Sequence, residues 1–141
     1  MLTLEQANII TSAALSEARK LNLKPISVVV LDNRAATVSI QSEDGVSIMR
    51  SDIAKAKANG AIQLGMGSRA LMNRAEQQAY FVDAINGLAD GKIVPVPGGV
   101  LIRDTSGAIL GAIGISGDTS DNDEAAALAG IAASGLAADA G

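Results

Sequence analysis

The sequence has no cysteine, no histidine and no tryptophan, and its only aromatic residues are the neighbours Tyr80 and Phe81. The missing cysteines exclude disulfides, thiolate metal sites and cysteine nucleophiles. The missing histidines exclude Ser-His-Asp triads and imidazole ligands to zinc or haem iron. Two aromatics cannot form a base-stacking platform. Positive charge is also short: the net charge is −4 and the isoelectric point about 4.7. That balance opposes nucleic acid or an anionic membrane as a partner. No apolar run approaches the roughly 20 residues a membrane span needs, and Met1-Leu2-Thr3-Leu4-Glu5 lacks the basic and apolar regions of a signal peptide. A cytoplasmic protein is expected.

What is present is a packed globule. The chain has 141 residues, 48% hydrophobic and 18% charged, which is the length of one domain, residues 1–141. The mean hydropathy of +0.29 reflects small residues, with alanine alone at 26 positions. Small residues let backbones approach closely, in helix packing or between subunits.

Thr3 and Gln6 form a capping box before a helix whose apolar positions are Leu4, Ala7, Ile10, Ala14, Ala18 and Leu21. Ile26 to Leu31 reads as a buried strand. It pairs as a hairpin with Thr37 to Gln41 across Asp32-Asn33-Arg34, and Val46 to Met49 is a third short strand. Ser51 caps a helix to about Met66, and a further helical stretch runs from Ser68 to Leu88 with a break near Arg74. Asp90 to Gly99 is a loop. Val100 to Arg103 and Ala108 to Ser116 form a second hairpin turning at Asp104 to Gly107, and an acidic loop leads into a last, alanine-rich helix through Ala125 to Ala138. Hairpins separated by helices predict an α+β domain with an antiparallel sheet.

Four patterns bear on chemistry. Gly65-Met66-Gly67-Ser68-Arg69-Ala70 matches a dinucleotide fingerprint in spacing but follows a helix instead of a strand, so it reads as a helix–helix turn. Within the second hairpin Ala112, Gly114 and Ser116 share one face, with Ile109, Ile113 and Ile115 on the other. So bare a strand face predicts close approach by a helix, a subunit or a ligand, the helix first. Asp118 to Glu124 is acidic but lacks the glycine and terminal glutamate of a calcium loop. It reads as a helix start with Asp121 as N-cap and Glu124 at N3. Lys57 is the lone cation on the stripe Ile53, Lys57, Ala61 and Leu64, while Lys55 points elsewhere, near Asp52. Either its ammonium snorkels to water, or it is desolvated and acts as an anion hook, a base or an amine nucleophile. Pro97-Gly98-Gly99 ahead of a strand either offers backbone N–H groups to a ligand or simply turns the chain.

Taken together these segments resemble the GlcG/HbpS, or haem-degrading domain, family, including the C-terminal domain of PduO. The resemblance is carried by Asp52-Ile53-Ala54-x-x-Lys57-Ala58-x-x-Ala61, Pro97-Gly98-Gly99-Val100, Gly111-Ala112-Ile113-Gly114-Ile115-Ser116-Gly117 and Asp121-x-Asp123-Glu124-x-x-Ala127. It implies a five-stranded antiparallel sheet with flanking helices, of the profilin/PAS-like kind, and a homo-oligomer, dimer or higher. It also implies a small-molecule pocket lined by Lys57, Gly98, Gly99, Ser116, Gly117, Asp123 and Glu124. No metal site is expected. Haem is the family's ligand, and here only Tyr80, Met49, Met66 and Met72 remain as side chains that could ligate its iron. Two functions follow from the resemblance. One is a small-molecule-binding oligomer, with haem as a sub-case and otherwise no cofactor. The other is a cofactor-independent catabolic lyase, isomerase or hydrolase with Lys57 and Glu124 catalytic, Asp123 being the other carboxylate in reach. A third possibility, an assembly partner without a ligand, rests on the alanine-rich last helix packing between subunits.

Overall fold

The computed structural model describes all residues, Met1–Gly141. Five helices and five strands follow in the order α1 (Leu4–Lys20), β1 (Ser27–Asp32), β2 (Thr37–Ser42), α2 (Arg50–Leu64), α3 (Ser68–Gln77), α4 (Ala79–Leu88), β3 (Gly99–Arg103), β4 (Ile109–Ser116), α5 (Ser120–Ala133) and β5 (Ala137–Asp139). The strands form one antiparallel sheet in the order β2-β1-β4-β3-β5. This is the α+β architecture the hairpin pattern predicts.

The alternation of each central strand divides the core between the two faces of the sheet. Val28 and Val30 of β1, Val100 and Ile102 of β3 and Ile113 and Ile115 of β4 pack against Ala7, Ile10, Ala14 and Ala18 of α1 and Ala126, Ala127 and Ile131 of α5. On the opposite face Val29, Leu31, Leu101 and Ala112 meet Ala54, Ala58 and Ala61 of α2. The bare face of β4 therefore receives a helix, as expected. A side chain on Gly114 would overlap the Ala54 carbonyl, and one on Gly99 would strike the Lys57 carbonyl. Ile109 departs from the expected alternation and sits on the α2 face. The pairing slips there, with Ile102 opposite Gly111 but Arg103 opposite Ile109, so a bulge at Leu110 reverses the outermost residue.

The α1 capping box is present in both directions. Several boundaries differ from expectation. Val46 to Met49 is not a strand but two successive turns, closed by Val46 N–H to the Glu43 carbonyl and Arg50 N–H to the Ser47 carbonyl. Ser51 does not cap α2, which begins two residues earlier than expected, at Arg50 after Met49, without a side-chain cap. The break after α3 lies at Gln78, not near Arg74. Gly65 ends α2 in a left-handed conformation (φ 66°) and Gly67 opens α3, so the glycine pattern is the helix–helix turn that was expected.

The N-cap of α5 is Thr119, whose hydroxyl accepts from Asn122 N–H at 3.3 Å, and not Asp121. Asp118, one residue before that cap, accepts from Lys24 N–H, Thr119 N–H and Asn122 Nδ2, and these bonds hold its pKa down at about 2. We expect Thr119→Ala to cost about 1 kcal/mol in urea unfolding. Asp121→Ala, which loses only an exposed ion pair with Arg69, should cost less than about 0.5 kcal/mol. Equal losses would return the cap to Asp121.

The alanine-rich helix also ends sooner than expected. Ser134 and Gly135 (φ 77°) close α5, and Ala137–Asp139 turns back as β5 along the free edge of β3. Asp139 is fixed there by Nε and Nη2 of Arg103, at 3.0 and 2.9 Å. The small residues of α5 serve contact with α1 inside the chain: a side chain on Gly130 would come within 2.6 Å of the Ile10 carbonyl. That use does not depend on packing between subunits.

Candidate functional site

Helix α2 crosses the sheet where β3 and β4 are barest, and this brings the Lys57 backbone against Gly99. Its side chain then runs past Gly98 toward the C-terminal end of β4. Gly98 has φ 119°, and a side chain there would lie 2.9 Å from Lys57 Nζ and 2.8 Å from the Ile115 carbonyl. Only glycine combines that conformation with that space. Lys57 Nζ donates to the Ile115 carbonyl at 2.9 Å and to Asp123 Oδ2 at 3.1 Å. Asp123, in the first turn of α5, uses its other oxygen to accept from Asp118 N–H at 3.0 Å. Both side chains are sealed, at 2% and 1% exposure.

Burial pushes Lys57 below the ordinary lysine range, with Asp123 pulling it back up and Arg50 adding to the depression. Burial likewise raises Asp123 against the opposing pull of Lys57. The lysine is thus desolvated and does not snorkel. In this packing its ammonium meets a carboxylate and a carbonyl and presents no open face.

The other anticipated residues are distributed around this pair. Gly99 N–H donates to Ser68 Oγ at 2.7 Å, so α3 is pinned to the start of β3. Ser116 Oγ accepts from Arg50 Nη1 at 3.1 Å. At Gly117 a side chain would overlap the Pro25 carbonyl, so its bareness serves the crossing of two chain segments. Glu124 faces away from Lys57 and is gripped by Arg69, with contacts of 3.0 to 3.2 Å. It is therefore not the partner of Lys57, and Asp123 is.

Sequence reasoning missed Arg50, Ser68 and Arg69. Arg50 had a signal, since it precedes Lys57 by seven residues and so shares its helix face. Ser68 and Arg69 reach their partners 31 and 55 residues away, which no local pattern reveals.

An open cleft lies elsewhere. A cleft of about 850 Å³ separates the outer face of α2 from the end of α4 and the loop behind it. Ala56, Leu64, Ile85, Leu88, Ala89 and Ile93 supply its apolar lining, Asn59 and Gln63 its polar lining, and Asp52, Lys55, Asp90 and Lys92 its charges. None of the pocket residues that the resemblance implies, Lys57, Gly98, Gly99, Ser116, Gly117, Asp123 and Glu124, lines it.

The family of haem-degrading, HbpS-like proteins matches residues 2–132. Among solved structures, HbpS is 30% identical with a TM-score of 0.79, over 93% of this chain and 88% of that one. A double mutant of Streptomyces reticuli HbpS gives the same identity and TM-score, over 93% and 85%. The PduOC–haem complex is 24% identical with a TM-score of 0.87 over 96% of both chains, a likeness of fold. Comparison with curated protein sequences finds no match. With one family matched along nearly its whole length, and the same helices and antiparallel sheet in the solved relatives, this chain belongs to the HbpS-like family of haem-degrading proteins.

Proposed function

We propose that this chain is a small-molecule-binding protein, acting as one unit over its whole length and as a homo-oligomer, with a tetrapyrrole as the first ligand to test. The observation that carries the reading is the α2/α4 cleft. Its volume of about 850 Å³ falls in the range that encloses a ligand of that size, and its lining combines apolar side chains with charged ones. Family membership supplies the ligand class. Apolar side chains left on the surface, Ile48, Met49 and Tyr80 among them, support burial against further copies.

The donor set does not fit coordination of haem iron. Without histidine or cysteine, the remaining ligands are methionine and tyrosine. None of these lines the cleft; Tyr80 and Met49 are 72% and 63% exposed. The porphyrin body and its carboxylates have apolar and cationic counterparts in the cleft, whereas no imidazole, thiolate, thioether or phenol stands there to meet the iron.

A second reading is a small cofactor-independent enzyme. The depressed lysine and raised aspartate of the Lys57–Asp123 pair support it, since such shifts prepare proton transfer near neutrality. It requires the pair to open, and Asp123, not Glu124, would exchange the proton. Native mass spectrometry with and without hemin tests the first reading. An oligomer gaining one haem mass per subunit is expected. An apo-oligomer that ignores hemin would move the weight to the Lys57–Asp123 pair, and a monomer would remove the oligomer.

A further inference from the structure

We infer that the α2/α4 cleft holds a planar apolar dicarboxylate by its carboxylates and its flat body, with no bond from the protein to a metal, so that a metal-free porphyrin binds as tightly as haem. The inference rests on the small-molecule reading above and adds the place, the anchoring residues and the mode of binding.

The cleft is a built feature and not a gap between loose segments. One wall is α2. The opposite wall is the segment after α4, where Asp90 and Gly91 both take left-handed conformations (φ 55° and 73°) and turn the chain back toward α2. That wall is bonded at both sides. Asn59 Nδ2 donates to the Lys92 carbonyl at 2.9 Å, and Ile93 N–H donates to Asn86 Oδ1 at 3.0 Å. The cleft is therefore in place before any ligand arrives, which lowers the cost of binding.

Its lining sets an apolar surface beside two lysines and two aspartates. Ile93 is buried at the base, and Leu88 is 88% exposed at the rim. A flat ring system laid against Ala56, Ile85 and Leu88 would cover that surface. Lys55 and Lys92 stand on opposite walls and neither forms an ion pair within the chain. They are free to meet the two carboxylates of one ligand. Asp52 and Asp90 also line the cleft and are likewise unpaired. They weaken anion binding and keep affinity dependent on where the carboxylates lie.

Hemin and metal-free protoporphyrin IX are titrated into the wild-type chain and into Lys55→Glu/Lys92→Glu and Asp52→Asn, followed by absorbance and by tryptophan-independent porphyrin fluorescence. The expected result is equal affinity for the two porphyrins within about threefold. Both should weaken about tenfold in the double lysine variant and strengthen about twofold in Asp52→Asn. All three substitutions are on exposed positions, and circular dichroism confirms folding. Hemin binding about a hundredfold tighter than the free base would demonstrate a protein–iron bond and overturn the inference while leaving small-molecule binding intact. Equal binding that ignores the lysine charges would remove the cleft alone. No binding of either porphyrin would remove the tetrapyrrole reading itself, and this inference with it.

Discussion

Replacing Lys57 with methionine should cost this protein about 3–5 kcal/mol of stability. Methionine matches the length of the lysine stem and keeps its packing, so the loss isolates the ammonium. What remains is Asp123, 1% exposed, facing the Ile115 carbonyl with no cation between them. The wild-type pair itself is no great source of stability, because each charge was removed from water to form it. Removing one partner is costly because the other stays behind.

The pH dependence of the variant follows. Burial already raises the Asp123 pKa against the opposing pull of Lys57, and the substitution deletes that opposition. A carboxyl whose folded pKa lies above its unfolded one favours folding fully below the unfolded value, about 3.9. It loses that contribution as pH rises through the folded value. Lys57→Met should therefore regain stability on acidification toward pH 4, unlike a variant lacking an exposed lysine. Adding Asp123→Asn removes the stranded charge but keeps an acceptor for Asp118 N–H, and should restore about 2 kcal/mol. Urea unfolding from pH 4 to 8 checks all three. A Lys57→Met variant as stable as wild type at pH 7 would show that the pair is not sealed in solution, and the amine would then be available for chemistry.

That same lysine shows how far a sequence can be read. Its isolation on an apolar stripe was visible because helix periodicity is local, as were the α1 cap and both hairpin turns. The choice between snorkelling and burial was not visible. It depends on Asp123, 66 residues away, and on how closely α2 approaches a strand it does not neighbour in sequence. Glu124 illustrates the other half of the problem. Adjacent acids at a helix start point about 100° apart, so only one of Asp123 and Glu124 can face Lys57, and the alternative partner, Arg69, lies on a separate helix. β5 was hidden for a different reason. Ala137-Ala138-Asp139 has little strand preference of its own, and it is extended because β3 offers a free edge and Arg103 a counter-ion. The cleft required the return of the chain after α4, which motifs do not encode.

The same substitution, glycine to alanine, should have opposite effects at two places, and the contrast tests how this fold is held together. At Gly114 the added methyl would overlap the Ala54 carbonyl and come within 3.1 Å of the Ala58 side chain. The obstacle is helix backbone, which cannot rotate aside as a side chain does. Helix α2 must lift from the sheet or β4 must bend, and we expect a loss of about 3 kcal/mol. Lifting α2 would also draw Lys57 from Asp123, so the variant should admit water to the buried pair. Hydrogen exchange at the Ile115 and Asp118 amides should quicken more than at the α1 amides. At Gly87, inside α4, a methyl would meet nothing within 4 Å. Alanine there reduces the freedom of the unfolded chain and should stabilise by about 0.5–1 kcal/mol. Urea midpoints of the two variants decide the matter. If Gly114→Ala proved neutral, α2 would not rest on β4 as closely as the Gly114–Ala54 contact requires, and the sealing of Lys57 that depends on that approach would have to be reconsidered.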